Sequence, residues 1–158
     1  MLPDLKAFAT KLHDAKAASW AQLLFKCSRL LNEQALHLLE LRTKQQLRPS
    51  HTALFPHIDL QGTRPSVLAE RLGISKQAVG QLVEDLEVMG LLERVADPED
   101  GRARLVRFSA QGKKGLFMGL ALLGELEAGV AKKVGAGDVA HMHKTLLRLL
   151  DVLETAAP

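Results

Sequence analysis

The stretch that decides the fold is LAERLGISKQAVGQLVEDLE, residues 68–87. Its first part carries an apolar face, and Gly73 then supplies a turn because glycine adopts a positive φ at little steric cost. Ser75 is a favourable N-cap for a second helix. The apolar residues of that helix recur at helical spacing and form one stripe: Val79, Leu82, Val83 and Leu86. The pattern predicts a helix–turn–helix, with one face in the core and the other free to enter a DNA major groove.

The chain after this stretch has the pattern of a β-hairpin. Residues 91–95 are typical of a short strand, and residues 104–108 alternate as a returning strand. Residues 97–102, Asp-Pro-Glu-Asp-Gly-Arg, have turn composition between them. Ser109 can cap the helix that follows. Helix, turn, helix and hairpin in this order predict a winged helix.

The predicted wing segment, residues 102–114, is basic. It contains no acid, and its cations are Arg102, Arg104, Arg107, Lys113 and Lys114. This charge could lie on DNA phosphates, and an arginine at the wing tip could enter a narrow minor groove. The local charge is better evidence for a nucleic-acid partner than the net charge of the whole chain, which is only +3.

Several motifs in this region resemble the MarR (multiple antibiotic resistance regulator) family. They are LAERLGISK (68–76), LEVMGLLER (86–94), DPEDGRARLV (97–106) and FSAQG (108–112), the last standing where the family usually shows Leu-Thr-x-x-Gly. The specific motifs cover residues 64–112, and the flanking helices agree only in length and pattern. The resemblance implies homodimeric winged-helix transcription regulators, which are often repressors released by a small ligand or by oxidation.

The resemblance also implies roles for individual residues. It places Ser75, Lys76, Gln77, Gly80 and Gln81 on the recognition helix. Asp100 would orient the wing, and Arg102 would be the wing-tip arginine. The carboxylate could hold Arg102 by a charge-assisted hydrogen bond, or the two residues could be an ordinary turn acid and a surface arginine. Two departures from the family pattern concern DNA contact: Arg64 stands where the first helix usually has a Ser or Thr cap, and Gly80-Gln81 replaces a commoner Ser/Thr-Arg pair.

The residues predicted to contact double-stranded DNA are Arg64, Ser75, Lys76, Gln77, Gly80, Gln81, Asp100, Arg102 and Arg104. Gln77 and Gln81 could each make a bidentate contact to adenine, and Lys76 could reach guanine or phosphate. For Arg64 the alternative is a solvated loop charge. For the whole module the alternative is a winged-helix dimer that contacts only protein, because a fold does not determine a function.

The flanks complete a mainly α fold class: a winged helix–turn–helix with a small β-hairpin wing and terminal dimerisation helices. We expect N-terminal helices for dimerisation and ligand binding in residues 1–48, the DNA-binding domain in 49–112 and dimerisation helices in 113–158. In the first segment a helix break is predicted near residues 15–19, where Ser19 and Gln22 form a capping box. Ser50 could cap a short helix that follows.

The last helix carries an oligomerisation pattern, and Asp138 could cap it. Apolar residues step by three and four in a heptad seam: Val139, Met142, Leu146, Leu149 and Leu153. The seam could pack on the chain's own preceding helix or on a second copy. The family resemblance favours the homodimer.

Other classes of site receive little support. Cys27 is the single cysteine, which excludes an internal disulfide, and its apolar neighbours favour a buried, inert thiol over an oxidation sensor. The histidines lack a His-x-x-x-His pair, so no metal is expected. There is no Gly-x-Ser-x-Gly elbow or phosphate-binding glycine loop, so neither an enzyme nor a cofactor is expected.

The sequence does not determine what the N-terminal region binds. By family resemblance a small-molecule effector site would lie near the first helices; the aromatic and imidazole side chains that could line it, or could instead be core, are Trp20, Phe25, Phe55 and His57. Residues 115–124 form the longest apolar run, far short of the roughly 20 residues that span a bilayer. No signal peptide precedes it, so no membrane contact and a cytoplasmic location are expected.

Overall fold

The computed structural model of the chain describes residues 5–156. The helices are α1 (Leu5–Ala18), α2 (Trp20–Thr43), α3 (Pro49–Leu54), α4 (Pro65–Leu72), α5 (Lys76–Val88), α6 (Ala110–Val134) and α7 (Ala136–Thr155), and a short 3-10 turn, Phe55–His57, follows α3. The strands are β1 (Leu92–Ala96) and β2 (Arg104–Phe108), which pair antiparallel. The predicted class, mainly α with one β-hairpin, is confirmed.

The described residues fall into two compact units, one ending at Leu116 and the other beginning at Phe117, inside α6. The first unit contains the winged helix. Its core brings α4 and α5 onto the hairpin and consists of Leu54, Ile58, Leu68, Ala69, Val79, Val83, Leu86, Leu91, Leu92, Val106 and Phe108. The ring of Phe55 packs edge-on against Phe108 with 5.5 Å between centroids. Burial of this apolar surface holds the recognition helix and the wing in one body.

Local capping explains where the helices begin and end. Ser19 accepts the backbone N–H of Gln22 at 3.4 Å, so α1 ends and α2 begins where the break was predicted. Gly73 has φ 64° and ψ 30°, which gives the turn between α4 and α5 the left-handed conformation that glycine tolerates.

Two predicted caps are wrong. Arg48, not Ser50, is the N-cap of α3, because Pro49 takes the first helical position. Gly135, with φ 114°, is the N-cap of α7, and Asp138 lies inside the first turn of that helix. In both cases a backbone preference of Pro or Gly moved the helix start upstream of the polar side chain.

The root of the wing is joined tightly to the start of α6. Ser109 donates through Oγ to the carbonyl of Gly90 at 2.6 Å and accepts the N–H of Gly112 at 2.9 Å, which caps α6 as predicted. A Cβ at Gly112 would lie 1.9 Å from the carbonyl oxygen of Leu91. Glycine is therefore required at position 112, since any side chain would push the helix away from the strand.

Candidate nucleic-acid interface

The outer face of α5 collects the residues predicted to read DNA. Ser75 caps the helix by accepting the N–H of Ala78 at 3.1 Å. The inner stripe, Val79, Val83 and Leu86, is fully buried. The opposite face consequently exposes Ser75, Lys76, Gln77 and Gln81, with Gly80 half-buried beside them. This face is polar, and it carries no acidic residue in its first two turns.

One of these side chains has a partner that sequence reasoning missed. Gln81 donates through Nε2 to Oδ1 of Asp85 at 3.1 Å. The other oxygen, Oδ2, receives the Arg48 guanidinium and faces Nε2 of His51 at 3.3 Å. The Gln81 hydrogen bond, then that of His51, then the Arg48 charge lower the pKa of Asp85 below its ordinary 3.8.

The wing is anchored by a second carboxylate that sequence reasoning did not single out. Asp97 is 6% exposed and accepts the N–H of Glu99 at 2.9 Å through Oδ1. Arg64 places both Nε and Nη2 2.6 Å from Oδ2 of Asp97. The Glu99 hydrogen bond, and then Arg64, lower the pKa of Asp97 below 3.8, and the hydrogen bond and charge of Asp97 raise the pKa of Arg64.

Arg64 is therefore more than a solvated loop charge. It stands at the N-cap of α4 and holds the wing turn against the helix–turn–helix. Its side chain stays 42% exposed, so part of the guanidinium also faces solvent, where a phosphate could approach. The N-cap residue of α4 makes no side-chain hydrogen bond to the helix, and its side chain forms a tertiary ion pair instead.

Asp100 orders the wing turn in a different way from the one predicted. Its Oδ1 accepts the backbone N–H of Arg102 at 3.1 Å, and its carbonyl accepts the N–H of Ala103 at 2.8 Å. The expected bond to the Arg102 guanidinium is replaced by this backbone bond, because the tight turn brings the amide closer. Arg102 and Arg104 are exposed.

Not every wing cation is equally available. Arg107 pairs across the hairpin with Glu93, and its Nε lies 2.7 Å from Oε1 of that residue. The pair neutralises one of the five predicted wing cations, Arg102, Arg104, Arg107, Lys113 and Lys114. Lys113 and Lys114 are exposed at the start of α6.

The residues suggested for an effector site do not come together. Phe25 borders a cavity of about 510 Å³ at α1 and α2, whose described lining is His13, Lys16, Ala17, Gln22, Leu23, Phe25, Lys26 and Arg29. Trp20 is 61% exposed and is outside this lining. Phe55 packs against the winged-helix core, and His57 accepts a hydrogen bond from Arg71 through its backbone carbonyl. The cationic residues of the lining had not been singled out from the sequence.

The prediction that Cys27 is buried is wrong, since its thiol is exposed. Its apolar neighbours on α2 suggested burial, but that face of the helix is itself open: Leu24, Phe25 and Leu30 are 37%, 69% and 39% exposed. Apolar neighbours predict burial only where another surface covers them.

Among residues 5–156, no group of three or more His, Cys, Asp or Glu side chains is arranged to hold a metal ion. Over the same residues, none of the helices combines the length and apolarity needed to cross a bilayer.

Comparisons with known proteins give a family match over part of the chain and a fold match over most of it. The sequence model of the MarR family matches residues 46–103, from the segment before α3 to the wing turn. No curated protein sequence gives a significant match. The transcriptional regulator Tm0710 of Thermotoga maritima is similar in structure, with TM-score 0.65 and 21% identity over 86% of this chain and 94% of that one.

Two further solved structures share the fold at low identity. Wild-type MarR of E. coli in its apo form has TM-score 0.67 and 18% identity over 84% of this chain and 97% of that one. A MepR variant of S. aureus bound to an oligodeoxyribonucleotide has TM-score 0.56 and 19% identity over 85% of this chain and 98% of that one. The MarR family model thus matches the winged-helix part of this chain, and the fold that these structures share extends over 84–86% of its length.

Proposed function

We propose that this chain is a sequence-specific repressor that binds double-stranded DNA as a homodimer and releases it when a small ligand binds. The observation that carries the proposal is the division of α5 into a fully buried stripe and an exposed polar face. The first two turns of that face offer Lys76, Gln77 and Gln81, whose donors and acceptors match base edges. Glu84 lies in the third turn, beyond the part of the helix that would enter the groove.

The wing supplies the second proposed contact. Arg102 is exposed on a turn that Asp97, Asp100 and Arg64 hold in place, and Arg104 is exposed at the start of β2. An ordered turn loses less conformational freedom on binding than a mobile one, so its arginines can be placed on phosphates or in the minor groove at lower entropic cost.

A second copy of the chain is the proposed partner of α7. This helix leaves large apolar side chains open: Met142, Leu147, Leu150, Val152 and Leu153 are 51% to 59% exposed. The predicted seam residues Val139, Leu146 and Leu149 are half-buried. An apolar surface of this kind on a regulator is typical of an interface. In a two-fold dimer the recognition helices would reach half-sites about one helical turn, or 10 base pairs, apart.

The ligand would be an acid with an apolar body. The cavity at α1 and α2 combines Lys16 and Lys26 with the ring of Phe25 and the side chain of Leu23. Arg29 also lines it, but its guanidinium is paired with Glu33 at 2.6 Å. Cations of this kind bind a carboxylate or phosphate, and the apolar residues bind a ring or chain. We propose that such a ligand lowers DNA affinity by favouring a conformation in which the two recognition helices no longer match the half-site spacing.

Selection from random duplex DNA tests the proposal. The purified protein is expected to enrich an inverted repeat, with affinity that falls as salt rises because phosphate contacts release counterions. Failure to enrich any sequence at low salt, with ligand absent, would overturn it and favour a protein-binding winged helix. A reporter assay then separates the sign of regulation: a repressor lowers transcription from a promoter that carries the enriched repeat.

A further inference from the structure

We propose that Asp85, held by the buried His51, fixes the orientation of the Gln81 side-chain amide and so decides which base pair Gln81 reads. The inference rests on the proposed function, since it assumes that α5 enters a major groove. Asp85 and His51 are positioning residues in this proposal. Neither is expected to touch DNA, and Gln81 is the residue that does.

The first step concerns the amide. A carboxylate only accepts hydrogen bonds, so the end of Gln81 that lies 3.1 Å from Oδ1 of Asp85 must be the NH2 group. Rotation of the amide by 180° would set Oε1 against the carboxylate, which loses the bond and adds repulsion. The Gln81 amide therefore has one fixed orientation, so the positions of its acceptor Oε1 and its second N–H donor on the helix surface are also fixed.

The orientation of the amide matters because each base edge presents its donors and acceptors in a fixed order. A glutamine that reads adenine accepts from the N6 amino group and donates to N7. A reversed amide would present acceptor and donor in the opposite order. A fixed amide thus favours one base at its position, whereas a free amide can adapt to more than one.

The second step concerns Asp85 itself. His51 is 1% exposed, and its Nδ1 lies 3.1 Å from the backbone N of Arg48. A backbone N–H only donates, so Nδ1 accepts and the ring proton lies on Nε2, which faces Oδ2 of Asp85 at 3.3 Å. Nη2 of Arg48 also contacts Oδ2, which accepts from both groups. Both groups converge on Oδ2, which leaves Oδ1 for Gln81.

The arrangement is specific to one of the two glutamines. Gln77 lies one turn earlier on the exposed face, and the residue four positions after it is Gln81, not an acid. Gln77 is therefore an internal reference for a glutamine without this carboxylate. The acid next to Asp85, Glu84, is exposed and offers a matched control of the same charge.

The binding experiment compares base preferences at every operator position for the wild type, Asp85→Asn, Glu84→Gln and Gln81→Ala. Asp85→Asn keeps the shape but allows either end of the Gln81 amide to face it. We expect discrimination to fall about 5- to 150-fold at one position of each half-site, the position that Gln81→Ala also affects. Glu84→Gln removes the same charge from the same helix and is expected to keep the wild-type preference. A wild-type profile for Asp85→Asn, or the same altered profile for both charge variants, would overturn the inference.

A measurement without DNA keeps the two proposals apart. In nuclear magnetic resonance spectra of the free wild-type protein, the Gln81 side-chain amide protons are expected to be more widely separated and slower to exchange than those of Gln77. Nitrogen spectra of His51 are expected to show the Nε2–H tautomer. Gln81 signals equal to those of Gln77, or an Nδ1–H tautomer, would contradict the positioning even if Asp85→Asn failed to fold. A protein that shows the expected signals but selects no DNA would defeat the proposed function alone.

Discussion

Arg64 and Asp97 join the start of α4 to the wing turn. Two nitrogens of the Arg64 guanidinium lie 2.6 Å from one oxygen of Asp97, although the residues are 33 positions apart. The arginine stands at the start of α4 and the aspartate directly after β1. The pair therefore ties the wing turn to the start of the helix–turn–helix.

Replacement of Asp97 by Ala is expected to lower both thermal stability and affinity for all DNA sequences. The change leaves the Arg64 charge without its carboxylate and removes the acceptor of the Glu99 N–H. Thermal unfolding and binding to a specific and a random duplex would measure the two effects. Glu99→Ala, an exposed acid in the same turn, is the control and should leave the melting temperature close to that of the wild type.

The contribution of Asp97 to folding stability should decrease as pH falls. Its pKa in the folded chain is lowered from the ordinary 3.8, so its stabilising effect is fully present above the unfolded value and is lost as pH falls through the folded value. The difference in melting temperature between the wild type and Asp97→Asn should therefore be largest from about pH 5 to 7 and should shrink below about pH 4. A difference that grew toward acid pH would contradict this sign.

Arg102→Ala is expected to weaken binding equally on specific and random duplexes. If its guanidinium contacts one phosphate, the slope of log affinity against log salt should fall by about 0.9. Arg107→Ala removes the same charge from the wing, but that guanidinium is held by Glu93, so the slope should hardly change. Equal slopes for the wild type and Arg102→Ala would place this arginine outside the DNA contact.

Gly80→Ala is expected to raise the stability of the protein and to lower its affinity for DNA. A Cβ at this position meets no atom within 4 Å, so alanine should stabilise α5 by about 0.5–1 kcal/mol. The same methyl group stands between Lys76 and Gln81 on the proposed reading face and should lower DNA affinity several-fold. Denaturant unfolding and DNA titration measure the two opposite changes. A variant that is more stable and binds DNA unchanged would show that α5 does not approach the groove at this residue.

Met142→Glu is expected to shift the protein from dimer to monomer. It places a charge in the exposed apolar seam of α7, where burial in an interface would be costly. His143→Glu introduces the same charge one position along the helix and should leave the dimer intact. Sedimentation analysis should give twice the chain mass of 17.3 kDa for the wild type and the control, and the chain mass for Met142→Glu. A monomeric wild type at micromolar concentration would refute the proposed interface.

The winged helix could be predicted because its determinants are local. The turn at Gly73, the cap at Ser75 and the stripe from Val79 to Leu86 each act within one or two helical turns, and all of them appear in the structure. The hairpin was likewise predicted to within one residue at β1, because its turn composition lies between two short apolar alternations.

The pairs that order the site could not be predicted in the same way. His51 and Asp85 are 34 positions apart, and neither residue has a periodic or motif signal of its own. The exposure of Cys27 was missed for a related reason, because burial depends on which surface covers a helix face and not on the neighbours within it. Asp100 was assigned to the correct turn, but the choice between backbone and side chain as its partner depends on distances of about one ångström.

The close approach of Gly112 to the carbonyl of Leu91 makes the connection between the wing and α6 rigid. With no space between the first turn of α6 and the entry to β1, and with Ser109 bonded to both sides, the wing and the beginning of α6 cannot bend against each other. A force applied to that end of α6 would turn the wing as a lever of fixed angle. A rotation of this first turn would therefore be expected to carry the wing arginines with it.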